Sequence, residues 1–519
     1  MKLAPVIDLL TEGRERADAS GVAIRAAMDP TDAGNARRLA AVAGDDLRAV
    51  TGTGWVAWDG TRWAPDDVEA TTAMRWALKT VASIRDEDTA LRAAGADDAA
   101  LRARYRHHLN SQNRPRLDAM LHLARVAMQV HPDDLDANPD LLNTPAGTVH
   151  LPTGEIHPPC REDFITRSTN VAPRPGDTPV WDAFLRKVLP DPDLRAYVQR
   201  EAGYCLTGHT HEQTFHVLHG AGANGKSVFE RTLKHVCGEY ATSAAAETFM
   251  VSRRGGGDTR SDLVRLRGAR LVSFSETSDG LRFDDRLIKE VTGGEAITAR
   301  ALYAAEVTFT PRFKLHASCN GLPRFDGADF AMRRRLRVVP FGVQIPESEQ
   351  DPQLAARLAA EAPGILAWAI EGAARWYTDG LGTCAAVEEA SAASADDMDP
   401  IGLFLADRCH RSPNAFTPSA SIATAYSEWA DANRQPDLGA KKIGDGLARH
   451  GLVGVRSGGQ RGWKGLELRR EDTSVTDRDG SSRHFPRRKD SGTSGTTRHD
   501  LSHGPQNALT ADVLNGEAA

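Results

Sequence analysis

Cysteines are few in this chain, and none is arranged for metal. Six are scattered over 519 residues, at Cys160, Cys205, Cys237, Cys319, Cys384 and Cys409, with no C-x-x-C pair. That suits a reducing compartment and excludes the familiar zinc-ligand spacings. His107-His108 and the group His209, His211 and His216 have no cysteine or carboxylate at ligand spacing, so no metal held by histidine or cysteine is expected. Long apolar runs are missing as well. Asp8 and Glu12 interrupt the start before a signal-peptide core could form, and no stretch approaches the ~18 apolar residues of a membrane span. An intracellular, soluble chain without a membrane partner is expected. Net positive charge is also absent: Lys and Arg number 64 against 70 Asp and Glu, a formal charge of −6. This excludes a protein that coats nucleic acid with its whole surface and confines any DNA contact to local basic patches, such as a channel. No internal repeat is visible.

What is present is an ordinary globular composition, 40% hydrophobic and 26% charged, in a chain long enough for two to four domains. Residues 1–165 mix helices with short strands. In Gly54–Trp63, Asp59-Gly60 reads as a turn between aromatic strands, and Trp55, Trp58 and Trp63 are expected to fill a small core rather than stack on bases. A second strand pair is expected over residues 147–157, turning at Pro152-Thr153-Gly154. Residues 166–210 read as a helical collar, with Leu194, Tyr197, Val198 and Cys205 on one face. Over 211–345 apolar strands alternate with helices, an α/β core. Residues 346–384 are helical again, and Ile365, Trp368, Gly372 and Trp376 form a stripe that reads as core. Residues 385–400 are small and acidic and read as a linker, opening a C-terminal domain over 385–470. From 471 to 519 large apolar residues are few, and disorder is expected.

The sharpest local signal is Gly220-Ala221-Gly222-Ala223-Asn224-Gly225-Lys226-Ser227, which matches G-x-x-x-x-G-K-[ST] between an apolar strand and a helix. Glycines let backbone N–H groups turn inward around phosphates, and the helix N-terminus adds positive potential. Lys226 is expected to reach the β- and γ-phosphates of ATP, and the Ser227 hydroxyl to ligate Mg²⁺. Such a loop needs an acid on a neighbouring strand. The run Arg270–Ser275 ends in Glu276, placed to orient or deprotonate the attacking water and to support Mg²⁺. A third strand, Phe313–Cys319, ends in Asn320, an amide able to sense the γ-phosphate. The run Met332–Phe341 carries Arg333, Arg334, Arg335 and Arg337. These arginines form either a solvated strand edge or an arginine finger that serves a neighbouring subunit.

The order of these features is diagnostic. The P-loop, Ser275-Glu276, the block Leu287–Gly294, Asn320, and Arg334-Arg335-Leu336 with Pro340-Phe341 all fall within about 125 residues. This resembles the superfamily 3 helicases, in the branch of phage and plasmid primase-helicases related to the poxvirus primase-helicase. The resemblance covers about residues 30–470, most specifically the motor. It implies a multidomain α/β chain: a modified AAA+ P-loop motor between a helix-rich N-terminal region and a winged-helix-like C-terminal domain. It further implies an ATP- and Mg²⁺-dependent DNA helicase, a homo-oligomer assembled as a hexameric ring, with Arg334 or Arg335 completing the neighbour's site. DNA contacts are implied at Lys289 and at Arg300 on a hairpin of strands Thr298–Tyr303 and Glu306–Thr310, with single-stranded DNA in the channel and duplex at an origin. The tip Tyr303-Ala304-Ala305 lacks the lysine often found there, and Ser275 stands where many P-loop enzymes carry a second acid. Priming is expected from a separate polypeptide, and the setting from the cytoplasm of a bacterial host. A helix with Ile422, Tyr426 and Trp429, a second opening at Gly439, and a basic Gly-rich hairpin suggest DNA binding or protein docking by the C-terminal domain. Two other functions fit the same motifs: an ATPase that remodels or loads proteins at an origin, and a non-motor origin-binding protein switched by ATP.

Overall fold

Four strands in the middle of the chain, Phe215–His219, Leu271–Ser275, Lys314–Cys319 and Leu336–Pro340, are buried along most of their length, the pattern of a parallel sheet covered on both faces. The computed structural model describes residues 21–251, 260–275, 282–300, 306–433 and 435–469. Before the central sheet come two small ones. Strands β1 (Leu47–Val50), β2 (Gly54–Trp58), β3 (Trp63–Pro65) and β4 (Gln129–Val130) pair in the order β3-β2-β1-β4. Asp59 closes the β2–β3 turn by accepting from the N–H groups of Thr61 and Arg62 at 2.8 and 2.9 Å, and Gly60 takes φ +104°. Trp55 and Trp63 are buried, as a core role requires, and Trp58 packs edge-on to Trp63 at 5.9 Å. Helices Asp32–Ala43, Thr71–Ser83 and Arg114–Ala127 contribute Leu39, Ala77 and Met120 to the core around Trp55, while Trp63 lies in a separate small cluster with Val50 and Val56. The second sheet joins β5 (Leu141–Thr144), β6 (Gly147–His150) and β7 (Glu155–His157), with the expected turn between His150 and Glu155.

The central sheet contains β8 (Phe215–His219), β9 (Ala241–Ser243), β10 (Leu271–Ser275), β13 (Lys314–Cys319) and β14 (Leu336–Pro340). A separate antiparallel pair, β11 (Ile297–Arg300) and β12 (Glu306–Phe309), lies between β10 and β13 in sequence. The sheet order is β14-β8-β13-β10-β9, and every pairing is parallel. Strand alternation sends Phe215, Val217, Val272, Phe274, Leu315, Ala317 and Val338 into one core and Leu218, Leu271 and Val339 into another. That second core holds helices Pro179–Val188, Pro192–Leu206, Lys226–Cys237 and Ala362–Asp379. The collar and the post-motor helices are therefore one layer against the sheet. Glycines allow their close approach: a Cβ on Gly203 would stand 2.0 Å from Ala373 N, and one on Gly372 2.0 Å from Gln199 O. Tyr197, Cys205, Ile365, Gly372 and Trp376 are buried there, as their spacing predicts.

Residues 385–400 are not a linker. Ala385–Asp397 is a helix whose Val387 and Ala395 are buried in the two motor cores. Ser391 accepts from Val338 N at 2.8 Å, so this helix covers the otherwise open edge of β14. The C-terminal domain begins after it. Helix Pro400–Arg408, β15 (Cys409–Pro418), helices Ser419–Ala432 and Ala440–Arg449, then β16 (Val453–Ser457) and β17 (Gln460–Leu468) enclose a core with Ile422, Tyr426 and Trp429. Its sheet order is β15-β17-β16. Residues 471–519, where disorder is expected, lie outside the described residues.

Candidate functional site

The chain leaves β8 at His219, turns through Gly220–Gly225 and enters the helix at Lys226. Gly222, Ala223 and Gly225 have φ of +101°, +46° and +87°, backbone that glycine adopts readily and that Ala223 adopts against its preference. A Cβ at Gly220 would fall 2.3 Å from Phe341 O, and one at Gly225 would fall 2.6 Å from Val188 Cγ1 on the collar. The chain leaving β14 pins the loop from below: Asn224 Nδ2 donates to Phe341 O at 3.1 Å, and Ile345 N donates to Ala223 O at 2.7 Å. Ala221 is exposed at the rim, and Ser227 is exposed at the second helical position. Lys226 is only 5% exposed. Its Nζ donates to Gly220 O at 2.6 Å, Asn224 Oδ1 at 3.1 Å and Asn320 Oδ1 at 3.2 Å. Burial holds this ammonium below the usual lysine range. Among the described residues no carboxylate pairs with it. A desolvated cation surrounded by neutral oxygens is stabilised by an anion, and phosphate suits backbone N–H groups gathered at a helix N-terminus.

Register explains how Asn320 reaches the loop. Cys319 pairs with His219, so the residue after β13 stands beside the residue after β8. Ser275 pairs with Ser318, which places the end of β10 one strand further away. The acidic strand is thus not the immediate neighbour of the P-loop strand, as the sequence suggested, because β13 lies between them. Glu276 lies outside the described residues.

The arginine run sits at the other end of the sheet. Leu336 pairs with Phe215 and Pro340 with His219, so Arg334 and Arg335 precede the start of β14 while the P-loop follows the end of β8. Five strand residues separate the two levels by roughly 17 Å. The structure also divides the arginines, which the sequence could not. Arg335 is buried, donating from Nε to Thr292 Oγ1 at 3.1 Å and from Nη1 to Ala331 O at 3.0 Å. Arg333 pairs with Asp396 at 2.5 Å. Arg334 is exposed and donates to Gln213 Oε1 at 2.7 Å. Arg335 is therefore an internal brace in this conformation, and Arg334 is the arginine presented to solvent.

The expected hairpin is present over its described residues, with Ile297 opposite Phe309 and Arg300 opposite Glu306. Arg300 is exposed, and the tip Tyr303-Ala304-Ala305 lies outside the described residues. Lys289 does not project as a free basic group. Its Nζ donates to Asp329 Oδ2 at 2.8 Å, and Asp329 in turn caps the short helix leading to the arginines. Gln213, Thr292 and Asp329 were not singled out by sequence reading, since Gln213 and Thr292 meet their arginines, and Asp329 its lysine, only across 40 or more residues. In the C-terminal domain, Lys441 and Lys442 are exposed at the start of their helix. Arg456 and Arg461 face each other across the Gly458-Gly459 turn. At the far end of that helix Arg449 pairs with Asp326 of the motor.

Residues 36–190 match the family described as D5 N terminal like, which covers the N-terminal region and the first collar helix. The chain is 35% identical over 160 residues to "Putative helicase L207/L206" of Acanthamoeba polyphaga mimivirus, 31% of this chain and 17% of that protein. It is 31% identical over 185 residues to "Putative helicase 022R" of Frog virus 3, 35% of this chain and 19% of that one. It is 24% identical over 269 residues to "Putative primase C962R" of African swine fever virus (isolate Warthog/Namibia/Wart80/1980), 48% of this chain and 28% of that one. The matched part thus spans less than a third of each of these viral relatives. The apo structure of the NrS-1 C terminal region is similar at a TM-score of 0.38 and 11% identity, over 57% of this chain and 77% of that one. The D5-like match and the viral relatives together support a D5-like primase-helicase relationship.

Proposed function

We propose that the chain is an ATP-driven DNA helicase subunit that works as a ring, on the superfamily 3 pattern, in replication. Two observations at opposite ends of one sheet carry this reading. Lys226 is a buried cation without a carboxylate partner among the described residues. Arg334 is exposed, beyond the reach of its own P-loop. A chain that holds both halves of a phosphate site facing apart completes each site by head-to-tail association, which closes into a ring such as a hexamer. Gly220–Gly225 would cradle the ATP phosphates, with Lys226 neutralising the β- and γ-oxygens and Asn320 orienting water. Ser227 and Glu276 would hold Mg²⁺, which supplies charge neutralisation on the phosphates. Arg300 on the hairpin would meet single-stranded DNA, and Lys441, Lys442, Arg456 and Arg461 would give a winged-helix-like domain a basic face for duplex. A separate primase polypeptide, and a phage or plasmid in the bacterial cytoplasm, belong to the same reading. The names carried by the viral relatives are consistent with its helicase part.

Turnover of ATP by the full chain, with and without single-stranded DNA, together with displacement of a labelled strand, tests this function. DNA-stimulated turnover with displacement is expected. Turnover without displacement would indicate a remodelling or loading ATPase, and binding without turnover an ATP-switched origin protein.

A further inference from the structure

One row across the central sheet departs from its apolar pattern. Ser273, His316, His216 and Arg337 are register partners on β10, β13, β8 and β14, and alternation turns them toward the collar face. Ser273, His316 and His216 are 0% exposed. Helix Pro192–Leu206 lies over that row and places Glu201 and Cys205 one turn apart, both buried. Cys205 Sγ lies 3.0 Å from Glu201 Oε1 and 3.6 Å from His316 Nε2. His316 Nε2 also contacts Glu201 directly. The donor atoms of Glu201, Cys205 and His316 all lie within 4.8 Å of one another. His216 Nδ1 stands 3.7 Å from Glu201 Oε1 and has no hydrogen-bond partner. Its other nitrogen, Nε2, is bonded to Tyr197 Oη at 2.9 Å, which fixes the ring with Nδ1 toward the cluster.

From this geometry we infer that Glu201, Cys205 and His316, with His216 Nδ1 as fourth donor, form a buried site for a divalent transition ion, best matched to zinc. Tetrahedral bonds of about 2.0–2.3 Å put neighbouring ligand atoms roughly 3.3–3.8 Å apart. Cys205 Sγ to His316 Nε2 at 3.6 Å and His216 Nδ1 to Glu201 Oε1 at 3.7 Å match that spacing, while Glu201 Oε1 stands at hydrogen-bonding distance from Cys205 and His316 and would draw back as the ion enters. A thiolate and a carboxylate balance the two charges of the ion, and the imidazoles stay neutral, so the filled site is uncharged in the sheet's interior. The Tyr197 hydroxyl then acts as the outer partner that orients a ligating histidine. Thiolate and imidazole donors select zinc over magnesium, so this ion is distinct from any that accompanies ATP. His216 and His316 each stand four residues before a tip of the nucleotide site, Gly220 and Asn320. The ion would staple the collar helix to the two strands that carry those tips.

The test is metal content of the folded full chain, grown with supplemental zinc and passed through EDTA before elemental analysis. One tightly held zinc per chain is expected, lost from Cys205→Ser and His316→Gln and kept in Cys160→Ser, whose thiol is exposed. Replacing zinc by cobalt(II) in the Cys160→Ser chain should give a thiolate-to-cobalt charge-transfer band with the visible bands of tetrahedral cobalt. This second readout decides the matter if either site variant fails to fold. Folded wild-type chain without a tightly held transition ion after zinc reconstitution, cobalt without the thiolate band, or full zinc in Cys205→Ser and His316→Gln would each overturn the proposal and leave a Glu201–His316 ion pair.

Discussion

At one end of the central sheet, Lys226 is buried among three neutral oxygens from Gly220, Asn224 and Asn320. At the other end, one arginine is spent on the fold and its neighbour is presented to solvent: Arg335 braces Thr292 and Ala331, while Arg334 is exposed beside Gln213. The difference teaches that a basic run cannot be read as a unit. The two residues lie in the turn between a short helix and β14, where Arg335 folds back onto Thr292 and Ala331 while Arg334 stays at the surface, free to serve a partner. No described element carries Arg334 to the P-loop end of its own sheet, which is why the proposed shared site calls on a neighbouring copy.

The comparison breaks most visibly at Lys226. Lys226→Ala should lower ATP turnover by about 10²–10³-fold, the cost of removing a preorganised charge from a developing anion. Its thermal unfolding should change little, because the loss of three hydrogen bonds to Gly220, Asn224 and Asn320 is offset by removing the desolvation cost of an ammonium without a carboxylate partner among the described residues. Turnover within about twofold of wild type would remove the phosphate-site assignment.

Arg335 gives the next largest effect, and on stability. Truncation to Ala removes charge-assisted bonds to Thr292 Oγ1 and Ala331 O from a buried position, a loss of about 1.5–3 kcal/mol. Chemical denaturation of Arg335→Ala should show a lowered midpoint, whereas Arg334→Ala should unfold like wild type. Equal stability of both variants would contradict the division of labour between the two arginines.

The smallest effect belongs to Arg300. Arg300→Ala should weaken single-stranded DNA binding and reduce the slope of log affinity against log salt by about 0.7, the release of one counterion from a single strand. An unchanged affinity and slope would take Arg300 out of the DNA path.

The features legible in the sequence were the local ones. The P-loop is a short string whose glycines answer to positive φ and close packing, and hairpins such as Asp59-Gly60 are set by turn chemistry within four residues. The five-stranded sheet was partly legible, because runs such as Phe215–Leu218 and Leu271–Phe274 are apolar on both faces. Strand order was not, because β13 inserts between β8 and β10 through contacts far apart in the chain. The helix Ala385–Asp397 was mistaken for a linker because its small residues resemble a flexible segment. They are small because the helix lies close against the motor, where Gly327 Cβ would stand 2.5 Å from Ala395 O. Val387, Ser391 and Ala395 at four-residue spacing were the available signal. The cluster of Glu201, Cys205, His216 and His316 escaped notice because its donors come from one helix and two strands, up to 115 residues apart. Only the register of β8 with β13 brings the two histidines together.

The most direct test of the shared site is subunit mixing between Lys226→Ala and Arg334→Ala chains. The first has a dead P-loop and an intact arginine, the second the reverse, and each alone should be inactive. In a fully exchanged equal mixture about a quarter of head-to-tail interfaces pair an intact P-loop with an intact arginine. ATP turnover should therefore return on mixing, up to that fraction of wild type. Verified mixed assemblies that remain inactive, or an Arg334→Ala chain fully active by itself, would contradict the account.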